Sequence, residues 1–129
     1  EGPSLKHDIS VPVSSIPAFI EAVNQRLLEQ FPGVRIVAYG HVGDGNLHYN
    51  VSKPIGSEDA AFKARQEAIM HVIYDVTMDL HGSISAEHGL GQAKRAAAKH
   101  YKDPLELELM RVLKETFDPK GLMNPGKVL

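Results

Sequence analysis

Hydrophobic and polar positions alternate at the start of the chain. In Lys6–Val13 (KHDISVPV), Ile9, Val11 and Val13 share one face and Lys6, Asp8 and Ser10 the other, the pattern of a half-buried strand. Pro12 sets this strand at an edge or near its end, because proline cannot donate to a ladder. The period then changes. Ile16, Phe19, Ile20, Val23, Leu27 and Phe31 recur at helical spacing behind Ser14-Ser15-Ile16-Pro17, an N-cap followed by an early-turn proline. This predicts a helix to about Gln30, stopped by Pro32-Gly33.

Val34–His41 is β-rich, Asp44-Gly45 is a two-residue hairpin signal, and Leu47–Ser52 reads as the return strand. After a short loop, Ser57-Glu58-Asp59 opens a long helix with carboxylates in its first turn, favoured by the helix dipole. Phe62, Ile69, Val72, Ile73, Val76 and Leu80 form its buried stripe, with Gly82 at C′. Ser83–Ala86 reads as a short strand. The order is β-α-β-β-α-β, so the expected fold is α+β and ferredoxin-like: an antiparallel sheet with helices on one face. Beyond Glu87 the pattern changes to a glycine-containing loop and a helix of small residues. Asp103-Pro104-Leu105-Glu106 then begins a further helix with an N-cap, an N1 proline and an N3 carboxylate.

Composition narrows the chemistry. A chain of 129 residues, 43% hydrophobic and 23% charged, is sized for one domain with its own core. The absence of cysteine excludes disulfides, thiolate metal sites and a cysteine nucleophile. A net charge of −2 and a pI near 6.4 give no footprint for nucleic acid. No apolar run reaches the roughly 18 residues of a membrane span, and Glu1-Gly2-Pro3-Ser4 has no signal-peptide pattern. A cytoplasmic location is therefore expected, with peripheral membrane association of a parent protein left open. Seven histidines stand out, because histidine is the commonest metal ligand and acid–base residue.

With Asp44-Gly45 as the two turn residues, His41 would face His48 and Tyr39 would face Asn50 on the same side of the hairpin. Two imidazoles so placed can converge on one metal ion at about 2.0–2.1 Å each for zinc. A bare pair of this kind reads more readily as a polar decoration of a half-exposed sheet. A second cluster, His81–Gly91 (HGSISAEHGLG), sets Glu87 beside His88 between glycines. Glu87 is a candidate anionic ligand, or part of a solvated surface loop. Gly89–Lys94 is a weak phosphate-loop signal that matches neither standard glycine motif. Lys94, Arg95, Lys99 and Lys102 read as a solvated helix face or as a contact for an anion.

These residues also carry a resemblance. Gly40–Asn50 (GHVGDGNLHYN) resembles the GHxGDGNxHxN motif of FAD-linked 2-hydroxyacid dehydrogenases, the D-lactate, D-2-hydroxyglutarate and glycolate oxidase enzymes of the vanillyl-alcohol-oxidase superfamily. His81–Lys94 is similar to their HGxxSxEHGxGxxK motif, and Phe117–Lys127 (FDPKGLMNPGK) to their C-terminal signature. The resemblance implies that residues 1–129 are the C-terminal substrate and metal domain, with the N-terminal FAD-binding domain absent and acting as its partner.

By position it gives His41, His48 and Glu87 as ligands of a divalent metal, zinc with manganese or iron as alternatives, and His88 as the general base. It gives Lys6, in KHDISVP, and Asn50 as substrate-holding residues, and Asn124 as a cofactor contact. The implied reaction takes a D-2-hydroxy acid to the 2-oxo acid, with hydride passing to flavin N5. This stretch alone is expected to be inactive, and a homodimer is left open. The competing readings are a non-catalytic ferredoxin-like module that binds a small molecule, and a His₂Glu metal hydrolase.

Overall fold

The alternating stretches form one antiparallel sheet in the computed structural model, which describes residues 2–129. Its strands are β1 (Ser4–Ser10), β2 (Arg35–Tyr39) and β3 (Asn46–Ser52), in the order β1-β3-β2. The described residues fall into two compact units, one ending at Glu87 and the other running from His88 to Leu129.

In the first unit, α1 (Ile16–Gln30) connects β1 to β2. Leu5, His7 and Ile9 of β1 stand opposite Val51, Tyr49 and Leu47 of β3, and all six are buried. α1 meets this face through Phe19, whose ring lies edge-on to Tyr49 at 5.6 Å. The second connection also covers it, through Tyr74 edge-on to His7 at 6.0 Å. Both helical layers therefore sit on one face, where each fully buried aliphatic side chain, such as Ile69 or Ile73, is worth roughly 1.5–3 kcal/mol. The result is the expected α+β fold.

The structure departs from the sequence pattern at several places. β1 ends at Ser10, and Val13 begins a 3-10 turn (Val13–Ser15), half-exposed. The Val11 amide instead donates to the Gly45 carbonyl at 3.0 Å, and Pro12 has no amide to extend the ladder. The long helix is two: α2 (Asp59–Lys63) and α3 (Gln66–Asp79). Between them the Arg65 amide bonds to the Phe62 carbonyl, three residues back, a tightened turn that no glycine or proline marks.

The left-handed residue after α3 is His81 (φ 57°), not Gly82. His81 N–H donates to Met78 and Gly82 N–H to Thr77, which is the Schellman pattern. Gly82 is required for a different reason. A Cβ there would lie 2.3 Å from the Ser10 carbonyl oxygen. Finally, the strand expected at Ser83–Ala86 is a single antiparallel bridge, Ser10↔Ser83, on the free edge of β1. It cannot lengthen because the following groups bond to side chains. Ser85 N–H donates to Ser83 Oγ, and Ala86 N–H to Asp8 Oδ2.

The second unit holds α4 (Arg95–Tyr101) and α5 (Pro104–Phe117). Asp103 caps α5 as its sequence indicates, with its carboxylate accepting from Leu105 N–H at 2.7 Å and Pro104 in the first turn. After α5, the Asp118 carboxylate accepts from Leu122 and Met123 N–H, both at 2.8 Å. These bonds hold its pKa below the usual value, Met123 contributing most. No helix among the described residues is long and apolar enough to cross a membrane.

Candidate metal centre

Side chains alternate across a strand, so the face of the sheet away from the helices carries Lys6 and Asp8 of β1, His48 and Asn50 of β3, and Val37 and Tyr39 of β2. The ladder aligns them in two rows: Lys6–Asn50–Val37 and Asp8–His48–Tyr39.

Tyr39, rather than His41, is the residue opposite His48. The turn is longer than the two residues expected. Gly40–Gly45 separates the strands, with a 3-10 turn at Val42–Asp44, Gly45 left-handed at φ 77° and Gly40 also at positive φ. A Cβ on Gly45 would stand 2.2 Å from the Val11 carbonyl oxygen, so the chain passes too close for any side chain. The ladder is therefore displaced by two residues from the expected register. Because side chains repeat every two residues, His48 keeps the same face. His41 leaves the ladder and becomes the cap of the turn, where its carbonyl accepts from Asp44 and Asn46 N–H.

Glu87 nevertheless brings the two histidines together. Its Oε1 lies 3.0 Å from His48 Nε2 and its Oε2 lies 3.2 Å from His41 Nδ1. The Glu87 and His41 side chains are open to solvent, whereas that of His48 is only 18% exposed. On the other side of the His48 ring, Nδ1 is 3.4 Å from Asp8 Oδ1. Ligand atoms of Asp8, His48 and Glu87 lie within 4.8 Å of one another. His41 falls outside that mutually close set and joins the cluster through Glu87.

Asp8 is the residue that sequence reasoning missed. Strict alternation assigns it to a solvent-facing position beside Lys6, yet it is 6% exposed. The 84–86 segment lies over it, and the Ala86 amide donates to Oδ2 at 3.2 Å. Its charge also helps burial push up the pKa of the Tyr74 phenol. The available signal was an acid two residues from Lys6 on the polar face of the strand.

The donor set suits a divalent cation. Two carboxylates this close repel when both are ionised, and a cation among them relieves that repulsion. Imidazole nitrogen with carboxylate oxygen fits zinc, manganese or iron. Lys6 is exposed, opposite Asn50 and next to the Asp8–His48 row. His88 is exposed, follows Glu87 in the chain and opens the second unit. Asn124 lies in the second unit, left-handed at φ 49°, with its carbonyl accepting from Lys127 N–H. It lines a cavity of about 490 Å³ with Met110, Leu113, Phe117 and Met123.

The chain is similar to known proteins over almost its whole length. Residues 1–128 match the family described as FAD linked oxidases, C-terminal domain. The chain is 41% identical over 123 residues to D-2-hydroxyglutarate dehydrogenase of Stutzerimonas stutzeri, covering 95% of this chain and 26% of that protein. It is 43% identical over 129 residues to the mitochondrial D-2-hydroxyglutarate dehydrogenase of Danio rerio, covering all of this chain and 23% of that protein. A Mycobacterium tuberculosis protein named as an FAD-linked oxidoreductase is 38% identical over 121 residues, covering 94% of this chain and 24% of that protein. The chain thus spans about a quarter of the length of the curated relatives it matches.

Proposed function

The chain belongs to the family of FAD linked oxidase C-terminal domains, and on that premise we propose that it is the substrate- and metal-binding part of an FAD-dependent dehydrogenase that oxidises a D-2-hydroxy acid to the 2-oxo acid. The observation that carries this reading is the Glu87 carboxylate between His41 and His48, on a sheet face that also bears Lys6 and Asn50.

In this reading His48, Glu87 and His41 hold a divalent cation. When bound, that cation lowers the pKa of a substrate hydroxyl and balances the alkoxide charge that develops. Lys6 offers a point charge to a substrate carboxylate, and Asn50, its ladder partner, offers an amide donor and acceptor. His88, the base in the motif it matches, accepts the hydroxyl proton at a ring nitrogen. FAD would be held mainly by the part of the parent protein outside this stretch and would supply the hydride acceptor. Asn124 contacts that cofactor. The substrate class follows the relatives' names: a D-2-hydroxy acid, with the dicarboxylate D-2-hydroxyglutarate first among them. Lys6, as a cation beside the centre, suits a second carboxylate.

The test is an assay of the complete protein with an artificial electron acceptor over D-2-hydroxyglutarate, D-lactate, glycolate and their L-isomers where they exist. We expect oxidation of a D-2-hydroxy acid that is lost on chelation and restored by zinc or manganese. Oxidation indifferent to chelators, or ester hydrolysis in place of oxidation, would contradict the proposal. Residues 1–129 expressed alone are expected to show no turnover.

A further inference from the structure

We infer that Asp8 is a positioning residue for the candidate metal centre, acting on two of its ligands at once. The inference rests on the reading that His48 and Glu87 hold a divalent cation, and it adds what sets their geometry.

Each oxygen of Asp8 has a separate task. Oδ1 stands 3.4 Å from Nδ1 of His48, the residue directly opposite on β3. Oδ2 accepts from the Ala86 amide at 3.2 Å, one residue before Glu87. One buried carboxylate on a strand thus touches the ring that supplies nitrogen and the backbone that delivers the carboxylate.

The two nitrogens of an imidazole point away from each other. Asp8 takes the Nδ1 side of His48, and Glu87 Oε1 meets Nε2 at 3.0 Å. This division leaves the Nε2 lone pair for a cation and sets the Nδ1 side of the ring towards Asp8 Oδ1, 3.4 Å away. A carboxylate behind a ligating histidine fixes the ring's orientation and raises its basicity. Asp8 is also well placed to resist rearrangement, being 6% exposed within a paired strand.

The Ala86 contact does comparable work for Glu87. Residues 84–86 form no ladder beyond the Ser10↔Ser83 bridge, so regular pairing does not fix the approach of Glu87 to the sheet. The Asp8–Ala86 bond anchors that approach one residue upstream. Replacing Asp8 should therefore loosen both ligands while leaving all three proposed ligand residues present.

The experiment uses the complete protein as wild type, Asp8→Asn and His48→Ala, each titrated with zinc. Asp8→Asn is chosen because it keeps the volume of a buried residue. Loss of an outer carboxylate of this kind weakens metal affinity by about 10–100-fold. We expect that loss for Asp8→Asn and no measurable site binding for His48→Ala. Unchanged affinity in Asp8→Asn would overturn the inference. So would a loss as complete as that of His48→Ala, because Asp8 would then be a ligand itself.

Two further readouts separate positioning from general destabilisation. In zinc-loaded protein labelled with ¹⁵N-histidine, the His48 ring proton should sit on Nδ1 in the wild type, and the Nδ1–H resonance should change in Asp8→Asn as its carboxylate neighbour is lost. A ring proton on Nε2 would overturn the inference. In metal-free wild type, hydrogen exchange at the Ala86 amide should be protected, and this is readable even if the variant fails to fold. An unprotected amide would overturn the inference, whereas protection without any zinc binding would refute the metal reading alone.

Discussion

The ring of Tyr39 lies against that of His48, with centroids 5.2 Å apart and planes tilted by 47°. The contact follows from their direct pairing across β2 and β3. It covers one side of a ring that has carboxylates at both nitrogens. Tyr39 is 56% exposed, so its removal should hardly change folding stability. Aromatic pairs are worth about 0.5–1.5 kcal/mol, and a half-exposed pair belongs at the low end. Tyr39→Ala should weaken zinc binding about 2- to 5-fold. A zinc titration of the complete protein checks this. Unchanged affinity would show that the ring contact does not support the site.

Tyr49 is fully buried beneath the same sheet, and its hydroxyl donates to Asn24 Oδ1. Burial raises its pKa well above the ordinary phenol value. The folded state therefore holds the phenol proton to higher pH than the unfolded chain does. The contribution of Tyr49 to stability should be constant below about pH 10 and fall as pH rises beyond it. Tyr49→Phe should cost about 1 kcal/mol near neutrality, because Asn24 loses a partner, and should flatten the alkaline decline. Urea unfolding at neutral pH and near pH 11 measures both. An equally steep decline in the variant would contradict the assignment to Tyr49.

Asp118 is predicted to titrate below an ordinary aspartate, because Met123 and Leu122 N–H donate to its ionised form. A depressed carboxylate contributes stability above its unfolded pKa, and that contribution is lost as pH falls through the folded value. The amide shifts of Leu122 and Met123 should report this step with a midpoint below about 3.9. A midpoint at or above that value would remove the carboxylate from the turn.

The parts of this fold that follow local rules were legible in the sequence. β1, β3 and α1 come from simple period-2 and period-3.6 patterns, and Asp103-Pro104 marks the start of α5 without ambiguity. The hairpin register was not legible. Asp44-Gly45 fits a two-residue turn, but the chain needs the six residues Gly40–Gly45 to pass the Val11 carbonyl. That displacement by two residues preserved the face of His48 and moved His41 out of the ladder. Asp8 was hidden for a related reason. Its burial comes from residues 84–86, which are distant in sequence, and alternation within β1 carries no trace of them. The fourth strand failed because Ser83 and Asp8 side chains satisfy the amides that a ladder would have used.

The central claim, that His48 and Glu87 hold a divalent cation with His41 beside them, is tested most directly by anomalous diffraction at the zinc edge. The crystals should be of the complete protein grown with zinc. The account predicts an anomalous peak about 2.0–2.2 Å from His48 Nε2 and from a Glu87 oxygen, with the His41 ring turned towards it. Zinc-containing crystals with no peak between His48 and Glu87, or with the Glu87 carboxylate turned away from both histidines, would contradict it.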